Sequence, residues 1–241
     1  DFVTVAESTA SIIDSGECGA EGDNVTYTLD SNGVLTISGE GKMDDFDSEP
    51  WILHCLKINK AIIEDGVTNI EYRAFGGCEL LTEVIIPDSV TSICENAFLG
   101  CKSLEKITIP NSVTSIGAGT FYGCESLTEI IIPDSVKSIG SSAFSSCDSL
   151  YSIILPSGLQ SIGKYAFQNC DSLVSITIPE GVTSISDSMF SDCDSLYSIV
   201  VPEGVKSIGS SAFSSCDALC SVTLPKGLQS IGNYTFRDCK K

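Results

Sequence analysis

The sequence predicts an α/β solenoid: a right-handed superhelix with one parallel strand per 23-residue coil, closed at its N-terminal end by a β-hairpin cap. Three observations predict it. Cysteine recurs from Cys55 through Cys78, Cys101 and onward to Cys239, which is eight periods of 23 residues. Phenylalanine keeps that period three residues earlier, from Phe75 to Phe236, and proline keeps it from Pro87 to Pro225. A period of this size marks a repeat architecture, in which no unit buries its own apolar face and stacking supplies the core.

Within a unit, Leu104, Ile107 and Ile109 bracket a short alternating run that stops at Pro110, a residue that cannot donate to a ladder. That is the strand. Pro110-Asn111-Ser112 fits a turn with proline at its second position, and Val113 and Ile116 supply two inward side chains on a second, shorter extended segment before Gly117. The stretch from Ala118 to Cys124 carries Phe121 and reads as a single helical turn, too short to stand as a helix alone. Coils stacked at about 4.8 Å form a parallel sheet over a continuous core.

The segment 1–50 is expected to be a linker followed by the cap, and 51–241 to be the repeats. Val25, Tyr27 and Leu29 alternate with polar residues, Asn32-Gly33 supplies a tight turn, and Leu35 and Ile37 return as the second arm. The single tryptophan, Trp51, falls beside the position of the first phenylalanine and is expected to close the end of the core. Glu7 to Ser15 is short-chained and polar and reads as a linker behind a removed signal peptide.

Composition narrows the function. With 32 Asp and Glu against 13 Lys and Arg, the net charge of −19 repels phosphate backbones and anionic lipid, so nucleic acid is not an expected partner. No window approaches the roughly 18 apolar residues of a membrane span, so no membrane insertion is expected. Nucleophilic catalysis lacks parts, because the chain has one histidine, His54, and no Gly-x-Ser-x-Gly. There is no Cys-x-x-Cys either, which leaves a structural zinc site without ligands. The expectation is a non-enzyme with no cofactor and no metal.

The string Leu104-x-x-Ile107-x-Ile109 matches the opening of a leucine-rich repeat. The unit then departs from the common pattern, with Ser or Gly at Ser112, Ser135, Gly158 and Gly181, the added proline, a Val-x-x-Ile pair and an Ala-Phe-x-x-Cys ending. In this form, as in Ile132 to Cys147, it resembles the BspA-like leucine-rich repeats, from Ile52 to Cys239. Ser15-Gly-Glu-Cys-Gly19 and the Tyr27 to Gly39 segment look like that family's N-terminal cap. The resemblance implies a secreted or cell-surface protein of a host-associated microbe, adhesion to host proteins in some members, and no catalytic residues. It speaks more strongly for fold than for role.

Internal copying agrees with a repeated surface. Val136 to Cys147 returns at Val205 to Cys216, and Gly158 to Gly163 at Gly227 to Gly232, both three coils on.

Several residue groups carry two readings. The cysteine column suits buried free thiols, since neighbours lie close but with parallel Cβ directions that suit a bond poorly; some pairing is the other reading. Asp44, Asp45, Asp47 and Glu49 are read as a solvated acidic loop, with a Ca²⁺ site as the other reading. Asp148, Asp171, Asp194 and Asp217 form an acidic column in which each carboxylate is expected to accept from its own turn. On the strand face turned from the core, Ile62, Ile85, Thr108, Ile131, Ile154, Thr177, Val200 and Thr223 are all β-branched. Lys60, Glu83, Lys106 and Glu129 alternate in sign beside them, followed by Ser152, Ser175, Ser198 and Ser221, with Tyr151 and Tyr197 at the flank. Sheet propensity and cross-strand pairing explain this; so does an interface.

The expected function is a secreted or cell-surface binding module, a monomer contacting a protein ligand such as a host extracellular protein. Its binding residues would be Ile131, Tyr151, Ile154, Thr177, Tyr197 and Val200. The alternative is a carbohydrate-binding or spacer module of a cell envelope.

Overall fold

The computed structural model describes residues 10–45 and 49–241. The cap has three strands, β1 (Ile12–Gly19), β2 (Gly22–Asp30) and β3 (Val34–Gly39), all antiparallel neighbours. The β2–β3 hairpin is as expected. Its turn is tied by the Asp30 carboxylate, which accepts from the backbone N–H groups of Asn32 and Val34 at 2.8 and 3.0 Å. β1 is a correction: the stretch through Ser15, read as a linker, enters an edge strand at Ile12. The part before Ala10 lies outside the described residues. β3 then pairs in parallel with Lys60–Ile63, so the cap's sheet continues directly into the coils.

The coils build two strand ladders, the longer one in front and the expected shorter one behind. The front ladder holds Lys60–Ile63, Glu83–Ile85, Lys106–Ile107, Glu129–Ile131, Ser152–Ile154, Ser198–Val200 and Ser221–Thr223. The back ladder is made of two-residue strands, mostly Ser-Ile, as at Ser115–Ile116 and Ser138–Ile139, and is in register coil to coil. The shorter extended segment expected before Gly117 is this back strand.

The helical corner is not formed. Among the described residues the only helical element is a 3-10 turn at Ile52–His54, so the α/β label gives way to a β-solenoid. The cause is a backbone alternation. Residues two before each phenylalanine and one before each cysteine take positive φ, as at Asn96 (57°), Gly100 (67°), Ser142 (55°) and Ser146 (58°). Alternating left- and right-handed residues point successive peptides along the solenoid axis. The N–H groups of Asn96, Phe98 and Gly100 thus reach Ala118, Thr120 and Tyr122 of the next coil at 2.7 to 2.9 Å. N–H groups donated between coils are unavailable to an i→i+4 helix.

The core is a stack. Phenylalanine rings follow one another at centroid distances of 5.3 to 5.7 Å, within 15° of parallel, from Phe75 to Phe236. Trp51 closes it as expected: buried, it stacks on Phe75 at 6.2 Å and meets Tyr27 of the cap edge-on at 5.3 Å.

Candidate binding surface on the front sheet

The front strands place their residues alternately. Leu127, Ile130 and Ile132 go into the core, and Ile131 goes out to solvent at 65% exposure. The same alternation exposes Ile154 and Val200, and Thr177 and Thr223 in the coils between and after. Tyr151 and Tyr197 are 52% and 57% exposed at the start of their strands. All six expected site residues therefore lie on one open face.

Val174 and Cys220 join this face and were not singled out from the sequence. Both are exposed, and they occupy the same place in their coils as Tyr151 and Tyr197. Reading that column at the 23-residue period would have found them.

Charge divides the face in two. In the first coils it is crossed by Lys60 and Glu83, paired at 2.9 Å, and then by Lys106 and Glu129. The Tyr151 hydroxyl donates to the Glu129 carboxylate at 3.5 Å. Beyond Glu129 the outward positions of four successive coils are Tyr, Ser, Ile; Val, Ser, Thr; Tyr, Ser, Val; and Cys, Ser, Thr, with no charge among them. The Cys220 thiol beside Tyr197 pushes the phenol up from its ordinary value.

The front ladder is interrupted where this strip begins. Lys106–Ile107 and Glu129–Ile131 fall in different sheets, and a cleft of about 390 Å³ opens there, lined by Thr108, Asn111, Ile131, Pro133 and Ile154. Ser175–Thr177 forms no strand, although the Val174 carbonyl of that coil still accepts from the Tyr197 N–H at 3.1 Å.

Carboxylates line the entering margin of the strip and stand in three of five coils on the leaving margin, where Ser157 and Lys226 take the other two places. On the entering side run Glu125, Asp148, Asp171, Asp194 and Asp217; on the leaving side stand Asp134, Glu180 and Glu203, each after its proline. Desolvation, and then Glu125, raises Asp148; desolvation, then Asp148, Asp194 and Asp192, raises Asp171. The expectation that these carboxylates accept from their own turns is corrected. Among the described residues none of the four does so. Backbone bonds between coils hold those turns instead, such as Ser172 N–H to Asp148 C=O and Ser195 N–H to Asp171 C=O, both 3.1 Å.

The acidic loop before Trp51 does not hold together as a solvated cluster. Glu49 is buried, with its carboxyl raised by desolvation, and Asp47 lies outside the described residues. Among the described residues no group of three potential ligands is arranged to hold a metal.

The cysteines divide as well. From Cys101 onward the column holds free thiols, buried through Cys216 and half-buried at Cys239. Cys18, Cys94 and Cys220 are free. Cys55 and Cys78 are joined in a disulfide, with Cα atoms 4.3 Å apart, which corrects the expectation for that one pair. Later thiols each donate to a phenylalanine carbonyl of an earlier coil, as Cys101 does to Phe75. The position that would serve Cys78 is Ile52, in the 3-10 turn, so this pair lacks that partner.

A second tie at the cap was not read from the sequence: Asp14 of β1 accepts from the Tyr27 hydroxyl at 3.2 Å and lies 3.3 Å from His54 Nε2.

A family model described as BspA type leucine rich repeat region matches in six copies, over residues 52–150 and 114–241. Among solved structures, a leucine-rich repeat protein from Bacteroides ovatus is 34% identical, with a TM-score of 0.71 over 87% of this chain and 54% of that one. The chain therefore spans about half the length of that relative. A leucine rich cell surface protein from Faecalibacterium prausnitzii is 22% identical over 90% and 91% of the two chains, with a TM-score of 0.39. A leucine-rich repeat protein from T. pallidum is 23% identical over 93% and 89%, with a TM-score of 0.47. Superpositions this loose do not bear on the site. A search of curated proteins finds no match.

Proposed function

Because this chain belongs to the BspA-type leucine-rich repeat family, a non-catalytic repeat scaffold whose fold generally serves protein binding, we propose that it is a secreted or surface-displayed binding module. In this reading residues 1–50 seal the scaffold, 51–241 present the front face, and the chain acts as a monomer on a protein ligand. The contact is made by Ile131, Tyr151, Ile154, Thr177, Tyr197 and Val200.

One observation carries it: in a chain of net charge −19, the front face keeps four consecutive coils free of charge while leaving two tyrosines and several aliphatic side chains in water. Exposed apolar strips of this kind mark interfaces, and tyrosine is enriched among residues that dominate binding energy.

The test is a binding screen of the purified chain against a panel of extracellular proteins, followed by Tyr151→Ala/Tyr197→Ala on the partner found. A loss of about tenfold or more in affinity is expected. Unchanged affinity removes this face from the reading. Antibody labelling of intact cells and culture supernatant checks the location, and signal confined to lysed cells contradicts it.

A further inference from the structure

The strip has a pitch as well as a polarity. Paired front strands stack at about 4.8 Å per coil and an α-helix rises about 5.4 Å per turn, so the two drift apart by only about 2 Å over five coils. An extended strand repeats its face about every 6.7 Å and drifts out of step with the coils by more than a side chain's width after a few of them. Backbone bonds hold neighbouring coils together on this face, as from Ile132 N–H to Ile154 C=O at 3.0 Å and from Tyr197 N–H to Val174 C=O at 3.1 Å. A helix laid along the solenoid axis sets one turn over each coil.

Charge selects the helix. The strip itself is neutral, its entering margin is a column of carboxylates with Asp217 paired to Lys240, and its leaving margin carries Asp134, Glu180 and Glu203 together with Ser157 and Lys226. Asp148 and Asp171 are held above the ordinary carboxylate value, in part by neighbouring carboxylates, so a cation arriving there relieves repulsion.

We propose that the front strip is a docking groove for a basic amphipathic α-helix of a partner protein, with an uncharged apolar stripe over Tyr151, Ile154, Tyr197 and Val200 and Lys or Arg along both flanks. This rests on the front face being the binding surface and names the partner element it takes. The four neutral coils from Tyr151 to Thr223, with the Ile131 coil and its Glu129 at their head, accommodate five turns, about 18 residues, anchored at i, i+3 or i+4 and i+7.

The experiment uses three fluorescent 18-residue peptides and the full chain. The first carries a leucine and alanine stripe with lysine flanks; the second has the same charge but a central Pro-Pro; the third has glutamate flanks. Anisotropy titrations are run at about 50 and 150 mM salt. The lysine-flanked helix is expected to bind, the proline-broken peptide about tenfold more weakly, and the glutamate peptide not at all. Tyr151→Ala/Tyr197→Ala and Val200→Ala each lose about tenfold on the first peptide. Asp148→Asn/Asp171→Asn loses about two- to threefold at low salt, with a flatter salt dependence.

Equal binding of the proline-broken peptide overturns the inference, because charge alone is then sufficient. So does unchanged binding by the tyrosine variant, or no binding by any peptide. Tyrosine-dependent capture of neutral glycans on an array, or tyrosine-dependent self-association in sedimentation, assigns the strip another occupant and also overturns it. The two readings fail separately. If the peptides fail while the tyrosine variant still loses an identified protein partner, only the helix falls; if the variant keeps that partner, the face itself falls.

Discussion

The thiol of Cys147 donates a 3.1 Å hydrogen bond to the carbonyl oxygen of Phe121 in the preceding coil. The same bond runs from Cys101 to Phe75, Cys124 to Phe98, Cys170 to Phe144, Cys193 to Phe167 and Cys216 to Phe190, at 3.0 to 3.3 Å. The column is cysteine because the site asks for a small apolar side chain that also carries a donor. Cys147→Ala leaves a void and removes one of the two bonds to the Phe121 carbonyl, which still accepts from the Cys124 N–H, and is expected to cost about 1 kcal/mol. Cys147→Ser keeps a donor and loses less. Urea midpoints of the two variants check the order.

Burial sets the reactivity of these thiols. Desolvation holds Cys124, Cys147, Cys170 and Cys193 well above the ordinary thiol value, and pushes Cys18 and Cys94 up to about 12. The thiolate is the nucleophile, so a thiol-specific disulfide reagent should label exposed Cys220 first in the native protein and the column only in urea. A native fast phase that survives in Cys220→Ser contradicts this.

Trp51 stands in for a missing coil. Its indole N–H donates to the Ala74 carbonyl at 2.8 Å, whereas the equivalent carbonyls of Ala97 and Ala143 receive the backbone N–H of Phe75 and Phe121. Trp51→Phe keeps a ring on the stack and orphans that carbonyl, for an expected cost of about 2 kcal/mol. Hydrogen exchange should quicken around Phe75 and leave the coils beyond Gly163 unchanged, because each coil touches only its neighbours.

Backbone conformation predicts a gain and a loss two residues apart. Tyr165 sits at φ 60°, where a side chain costs roughly 1–2 kcal/mol. Tyr165→Gly is expected to stabilise by about 0.5 kcal/mol once the flexibility of glycine in the unfolded chain is set against that relief. At Gly163 an added Cβ would lie 2.4 Å from the backbone nitrogen of Ser141. Gly163→Ala should therefore lose at least about 2 kcal/mol. Thermal melts of both variants distinguish the two signs.

Asp171 makes the protein less stable as it ionises. Burial first, and then Asp148, Asp194 and Asp192, raise its carboxyl, so the folded chain holds the proton to higher pH than the unfolded chain does. Its favourable contribution is complete below the ordinary carboxylate value and is lost as pH rises through the raised one. Asp171→Asn should raise Tm at pH 7, change little at about pH 3, and do less in high salt. A lower Tm at pH 7 contradicts this.

Much of this was legible before any coordinate. The Phe and Cys period located the core columns, the alternation around Ile131 and Ile154 located the outward face, and Val25 to Ile37 located the hairpin. The left-handed turns were not read, because Asn96, Gly100, Gly119 and Gly123 carry the signature in some coils while Arg73, Ser142 and Tyr165 replace it in others. β1 was missed because Ser15, Gly16 and Gly19 break the apolar alternation that identifies a strand. The Cys55–Cys78 bond was missed because these residues match the column in sequence and differ only in lacking an earlier coil to donate to.

The amino-acid order was sufficient for the scaffold: a strict 23-residue period of Phe and Cys calls for a stack of coils that buries those two columns. Spatial packing chose what the order left open. It turned a helical corner into axis-directed peptides, since N–H groups donated between coils cannot also close a helix. It also brought side chains 23 residues apart into one neutral strip edged by carboxylates, because neighbours on this surface are set by the stacking of coils and not by proximity along the chain.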